Sequence, residues 1–172
     1  MLAFANWITT ISRILAGVIG LAALLLLCFE VVARYFAPQI LPDWGSEVVI
    51  YLTIWALFLV AGELALKGEH VHADFVVDRL SERKKWALGL LAAFAGLIFS
   101  VLFLWYGYEV VAFAHMIGEE GDSTLRFPKW IYYLALPTGM ALQCLGYIVR
   151  IWAEITNPGS MTDHASLPAI ED

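Results

Sequence analysis

ILAGVIGLAALLLLCFEVVA, from Ile14 to Ala33, carries Glu30 as its one charged residue. A hydrocarbon core about 30 Å thick takes roughly 20 helical residues to cross, so this stretch alone is long enough to span it. Val48–Leu66, Trp86–Ile117 and Trp130–Ala153 are stretches of the same kind, separated by short polar connectors. In lipid the backbone must satisfy its own hydrogen bonds, so isolated apolar runs of this length become helices. The alternating ten-residue segments of a barrel do not occur. The expected fold is an all-α integral membrane protein of four long, tilted transmembrane helices. They form one domain over residues 1–156, with spans at about 14–34, 48–66, 86–110 and 130–153, followed by a disordered cytoplasmic tail over 157–172.

Composition agrees. Hydrophobic residues make up 61% of the 172 and charged residues 15%, against about a quarter charged in soluble domains. Mean hydropathy is +0.76. The net charge is −6 and the ten Lys and Arg form no run beyond Arg83–Lys85, which excludes a nucleic-acid partner. Cys28 and Cys144 sit inside apolar stretches, away from any metal-spaced motif, and read as small hydrophobes. Glu30 and Arg34 close the first stretch where a signal peptide would need small residues, so that stretch is expected to be retained.

Connector charge sets the expected orientation. Lys67–Lys85 holds Lys67, Arg79, Arg83, Lys84 and Lys85, whereas Tyr35–Glu47 holds no Lys or Arg. Gly118–Lys129 sets Arg126 and Lys129 against Glu119, Glu120 and Asp122. Basic connectors stay in the cytoplasm, so both termini belong inside, and the first and third connectors outside. Asp43 or Ser46 is expected to cap the second helix, and Ser81 the third. Gly68 suits the end of the second, and Pro128 the first turn of the fourth. The third apolar run exceeds what a bilayer needs and should tilt or project. Trp86, Trp105, Tyr106, Tyr108, Trp130, Tyr132 and Tyr133 lie near span ends as an interfacial belt does.

Polar residues within the spans are few. Glu30 and Arg34, four apart, share a helix face and are expected to pair, as are Glu63 and Lys67. Glu109 reaches the outer interface. Gln143 is expected to bond a neighbouring helix. Pro137 should kink the last span and free a carbonyl near residue 133. Gly89, Ala93 and Gly96 offer a small-residue packing face. The cluster His70-Val-His72-Ala-Asp74, with Asp78 four residues on, has metal-ligand spacing but no further His or Cys nearby. A polar connector whose Asp74 or Asp78 bonds helix ends is the expectation there. His115 has no mid-span His to share a haem with. Hydrolase, zinc-protease and phosphate-loop motifs do not occur. Neither enzyme activity nor a metal or cofactor is expected.

Three blocks carry a family resemblance. The first is Glu30-Val-Val-Ala-Arg34-Tyr35-Phe36. The second runs from Trp44 and Glu47 through Trp55 and Phe58-Leu59 to His70 and Asp74. The third is Pro128-Lys129-Trp130-Ile131-Tyr132 followed by Ala135-Leu136-Pro137-Thr138-Gly139. In this order the chain resembles the small, DctQ-like membrane subunit of tripartite ATP-independent periplasmic transporters. It departs from the family pattern where an acidic pair is reduced to Ser46-Glu47 and where Ile50 replaces a frequent Arg.

The resemblance implies a bacterial inner-membrane subunit. Its partners would be a large elevator-type membrane subunit and a periplasmic binding protein, in sodium-coupled uptake of carboxylate-bearing organic acids. The small subunit would enlarge the static scaffold. Glu30, Arg34, Trp44, Glu47, Trp55, His70, Asp74, Pro128, Trp130 and Pro137 are the structural or partner-facing candidates. Glu119, Glu120, Asp122, Arg126 and Lys129 are the candidates for docking the binding protein. The alternative, a membrane anchor for an oxidoreductase binding haem or quinone, rests on His70, His72 and His115.

Overall fold

A computed structural model describes residues 2–67 and 82–156. Four long apolar helices account for most of them: α1 (Leu2–Phe36), α2 (Gly45–Lys67), α3 (Glu82–Ile117) and, after the short α4 (Lys129–Tyr133), α5 (Ala135–Thr156). Each is long and apolar enough to cross a membrane, with α4 and α5 counting as one span. The chain is an all-α, four-span membrane protein. Among the described residues the only β-type pairing is an isolated bridge between Glu120 and Pro128. Gly68, Ser81, His70, His72, Asp74, Asp78 and the segment 157–172 lie outside the described residues.

Two helices outrun the bilayer. The 35 residues of α1 and 36 of α3 make rods of about 52 and 54 Å at 1.5 Å per residue. α1 begins well before Ile14, because Leu2–Ile11 is itself apolar and adds no breaker. Ser12 returns its hydroxyl to the Ile8 and Thr9 carbonyls, at 3.0 and 3.1 Å, so its polar group needs no outside partner. Pro38 then ends the helix and opens a 3-10 turn, Pro38–Ile40.

The fourth span breaks where Pro137 predicts. Lacking an N–H, Pro137 cannot bond the residue 133 carbonyl, and the helix divides at Leu134 into α4 and α5. Trp55 of α2 donates its indole N–H to the Ile131 carbonyl at 3.2 Å, one turn before the break.

The helices form a layer in the order α1, α2, α5, α3. α2 packs against both α1 and α5, and α3 packs against α5 and α4; α1 and α3 stand at opposite edges. α2 and α5 run parallel and cross closely, because Gly139 lies against the Phe58 backbone and Gly62 against Leu142. The small-residue face of α3 meets α5: Ala93 is buried with Ala65, Tyr147 and Ile151. The Tyr147 ring fills the space a side chain at Gly96 would need. Only 11% of the most apolar part of α3 is buried, against 44% in the fourth span. The edge helices therefore turn most of their surface outward, with Leu25 and Phe29 on α1 and Ile98, Trp105 and Phe113 on α3 exposed.

Charges settle differently from their helical spacing. Glu30 and Arg34 do not pair: Glu30 turns inward, 5% exposed, and Arg34 points outward. The Glu30 carboxylate lies over Gly45, where any side chain would collide with it, and its Oε1 has no hydrogen-bond partner. Glu63 accepts from Arg13 of α1 at 3.0 Å, a contact between helices, and the side chain of Lys67, its expected partner, lies outside the described residues. Gln143 is half-buried and makes no hydrogen bond among the described residues, contrary to expectation.

Candidate functional site

The two connectors that leave α1 and α3 meet at one end of the layer. α3 closes with Gly118 in the left-handed region, φ 63°. The Gly118 and Glu119 N–H groups bond back to the His115 and Ala114 carbonyls at 3.3 and 3.0 Å. This C-terminal motif satisfies two of the helix's free carbonyls and reverses the chain. The reversed chain then closes a hairpin: Gly121 N–H donates to Phe127 and Lys129 N–H to Glu119, both at 2.9 Å. At its tip Arg126 donates its N–H to Ser123 at 3.1 Å, with φ 45°.

The hairpin is fastened to the start of α2. Asp43 accepts from the Thr124 N–H at 3.0 Å and from the Thr124 hydroxyl at 2.6 Å. Those two bonds, the hydroxyl's first, hold the Asp43 carboxyl below the usual aspartate value. Asp43 thus joins two connectors instead of capping α2, and the Gly45 N–H goes to the Pro42 carbonyl at 3.4 Å. Ser46 lies inside the first turn of α2 and faces outward. In the same turn, the Glu47 carboxylate presses against Gly121, filling the place a Cβ would take. Glu47 also accepts from the Tyr51 hydroxyl. The Tyr51 ring stacks on Tyr132 at 4.8 Å and tilts against Phe127 at 5.5 Å, so α2, hairpin and α4 share one aromatic junction.

Charges in the hairpin are mostly paired with each other. Lys129 lies 3.3 Å from Glu119, which also accepts from the Tyr133 hydroxyl at 3.3 Å. Arg126 lies 3.8 Å from Glu120, both exposed. Asp122 lines a polar cleft with Asp43, Ser46, Glu47, Ile50, Tyr51, Ser123 and Lys129. Ser46 and Ile50 are both on the wall of this cleft.

The structure thus brings Glu47, Pro128, Trp130 and the five charged hairpin candidates to one end, while Trp55 stands mid-helix on α2 and reaches back to α4 through the Ile131 carbonyl. Pro128 directly precedes α4, one position earlier than expected. Trp130 packs edge-on to His115, 5.5 Å between ring centroids. The half-buried Trp44 supplies a carbonyl to Val48 N–H at 3.1 Å. Arg34, beside Tyr35 and Phe36 at 82% and 85% exposed, projects from the edge of the same end. Thr124, Tyr51, Gly45 and Gly121 are central here, and no local motif marks them, since each matters through a residue far along the chain. Among the described residues no group of three His, Cys, Asp or Glu is placed to hold a metal ion.

The family model for tripartite ATP-independent periplasmic transporters, DctQ component, matches residues 23–157. The C4-dicarboxylate TRAP transporter small permease protein DctQ of Rhodobacter capsulatus is 31% identical over 106 residues, 61% of this chain and 46% of that protein. The protein of the same name from Vibrio cholerae serotype O1 is 26% identical over 159 residues, 79% of this chain and 68% of that protein. The chain thus aligns with less than half of the Rhodobacter relative.

Proposed function

Because the chain belongs to the DctQ component family of tripartite ATP-independent periplasmic transporters, we propose that it is the small membrane subunit of such a transporter, bracing a larger permease subunit. The observation that carries this reading is the open layer. A four-span protein working alone has reason to enclose its polar groups, but here the edge helices α1 and α3 bury one stripe each and leave the rest uncovered. The charged residues described lie toward the ends of the spans rather than at their centres. A layer of this kind adds anchored width to a neighbour, which is what an elevator mechanism requires of its fixed part. Interfacial Trp and Tyr would hold it at constant depth.

In this reading the termini and the basic connector face the cytoplasm of a bacterial inner membrane, and the hairpin end faces the periplasm. The cargo class is carboxylate-bearing organic acids, as the names of the two relatives suggest, carried with sodium by the large subunit. The hairpin charges would orient a periplasmic binding protein on docking, tuning encounter and register more than affinity. Since Glu119 and Lys129 pair with each other, exchanging them (Glu119→Lys with Lys129→Glu) reverses the surface pattern while keeping the pair.

Gentle extraction from native membranes, followed by identification of what co-purifies, tests the scaffold role. A large multi-span permease is the expected companion; a flavin, haem or iron–sulfur subunit would overturn it. The exchanged pair should slow uptake and alter its salt dependence. Unchanged uptake at every ionic strength would remove the docking role alone.

A further inference from the structure

Two half-enclosed spaces meet at Tyr51. One, of about 380 Å³, is the polar cleft whose charged lining is Asp43, Glu47, Asp122 and Lys129. The other, of about 350 Å³, is a groove walled by Ile19, Val48, Leu52, Trp55, Phe127 and Ile131, among others, and is almost wholly apolar. We propose that together they bind one phospholipid whose zwitterionic headgroup ends in an ammonium, with an acyl chain in the groove and the headgroup in the cleft. This rests only on the chain lying in a bilayer, not on the transport reading.

The order of the two spaces is that of a lipid at an interface. The cleft lies at the connector end, between Asp43, the first turn of α2 and the hairpin. The groove starts beside it at Val48 and follows α2 to Trp55, about 10 Å toward the middle of the helix at 1.5 Å per residue. Chains in a bilayer are as apolar as the groove, so the groove alone would select no lipid. Selection falls to the cleft, where three carboxylates face one ammonium, Lys129, and give the lining a surplus of negative charge. That surplus disfavours an anionic headgroup and favours one carrying its own cation. Lys129 supplies the donor for the phosphate.

The carboxylates keep acceptor capacity for such a guest. Each carboxylate oxygen offers two lone-pair sites. Asp43 uses part of its set on Thr124 and Glu47 part on Tyr51, and Asp122 accepts no hydrogen bond from the described residues. The Asp43–Thr124 bonds tie the hairpin to the connector before α2, and the Tyr51–Tyr132 stack ties α2 to α4, so the walls of both spaces are joined to one another.

The test uses the full chain, extracted with its companions in mild detergent. Native mass spectrometry then counts adducts after addition of phosphatidylethanolamine, phosphatidylcholine or phosphatidylglycerol at equal concentration. Phosphatidylethanolamine should be retained about threefold over phosphatidylglycerol, the scale of one partly exposed charge contact. Phosphatidylcholine, whose ammonium has no N–H to donate, should fall between. Asp122→Asn with Glu47→Gln should bring the ratio to about one. Ile50→Lys, at an exposed position of the lining, should shift it toward phosphatidylglycerol without touching the packed junction. Val48→Trp should lower all three by filling the groove. Equal or greater retention of phosphatidylglycerol by the unaltered chain would overturn the proposal, as would a preference surviving the charge variants. Adducts that vanish whenever a large membrane partner is bound would assign the groove to a segment of that partner and overturn it too.

Discussion

Gly139→Ala tests the crossing on which the layer depends. A Cβ at residue 139 would lie 2.6 Å from the Phe58 carbonyl oxygen and 2.7 Å from the Phe58 Cβ. Close carbon–oxygen contacts settle near 3.3–3.6 Å, so α2 and α5 would have to part by roughly 0.7 Å at that point. The nearest obstacle is backbone and cannot rotate away. Overpacking of this kind costs about 1–3 kcal/mol. Replacing a helical glycine by alanine returns up to about 1 kcal/mol through propensity. The net is a loss of up to about 2 kcal/mol, or a few degrees of melting temperature for a chain of this size. Gly17→Ala is the control, because its Cβ would meet nothing within 4 Å; its melting temperature should stay level or rise. Thermal unfolding of both variants in one detergent, followed by helical circular dichroism and by loss of the monodisperse peak, gives the comparison. If Gly139→Ala melts at or above Gly17→Ala, the α2–α5 crossing is looser than a 2.6 Å approach requires.

Two other perturbations probe the polar contacts. Hydrogen bonds from Thr124 hold the Asp43 carboxyl below its ordinary 3.8, so the stabilisation is complete above that value and fades as pH drops through the lower folded one. Slow exchange of the Thr124 amide should therefore persist at about pH 5 and be lost only under more acid conditions; loss between neutrality and about pH 5 would refute the clasp. Arg13→Ala removes a partner of Glu63, whose side chain is 10% exposed against 53% for Arg13. That places its cost between surface and buried pairs, about 1–2 kcal/mol. Arg34→Ala, at an outward and unpaired position, should change stability by no more than about 0.5 kcal/mol. Equal losses in denaturant titrations would restore the Glu30–Arg34 pairing that helix spacing alone predicts.

Helix number and type were legible because they follow from local quantities: run length, hydropathy and breakers. Pro137 was legible for the same reason, since a missing N–H interrupts a helix wherever it stands. The charged residues were not. Spacing of four puts Glu30 beside Arg34, yet Glu30 turns onto Gly45 of the next helix, and the Arg13 contact of Glu63 comes from a residue 50 positions away. Asp43 has the look of a cap until Thr124 arrives from a segment 81 residues away. The glycines follow the same pattern. Gly139, like Gly17, stands inside a long apolar helix, and only the neighbours that press on it give it a task.

The amino-acid sequence by itself determined that this chain lives in a membrane as four helices and resembles a transporter's small subunit. Lipid removes the alternatives for an apolar backbone, so composition and length suffice for the first, and three ordered blocks for the second. The tertiary structure alone decided that the helices lie in a layer, that the two connectors lock into one hairpin-capped end, and that a polar cleft opens there beside an apolar groove. Each of those depends on which surfaces meet, and in lipid, where apolar faces are equally at ease against chains or helices, hydrophobicity does not choose them. Close-packed glycines and a few hydrogen bonds between distant residues make that choice.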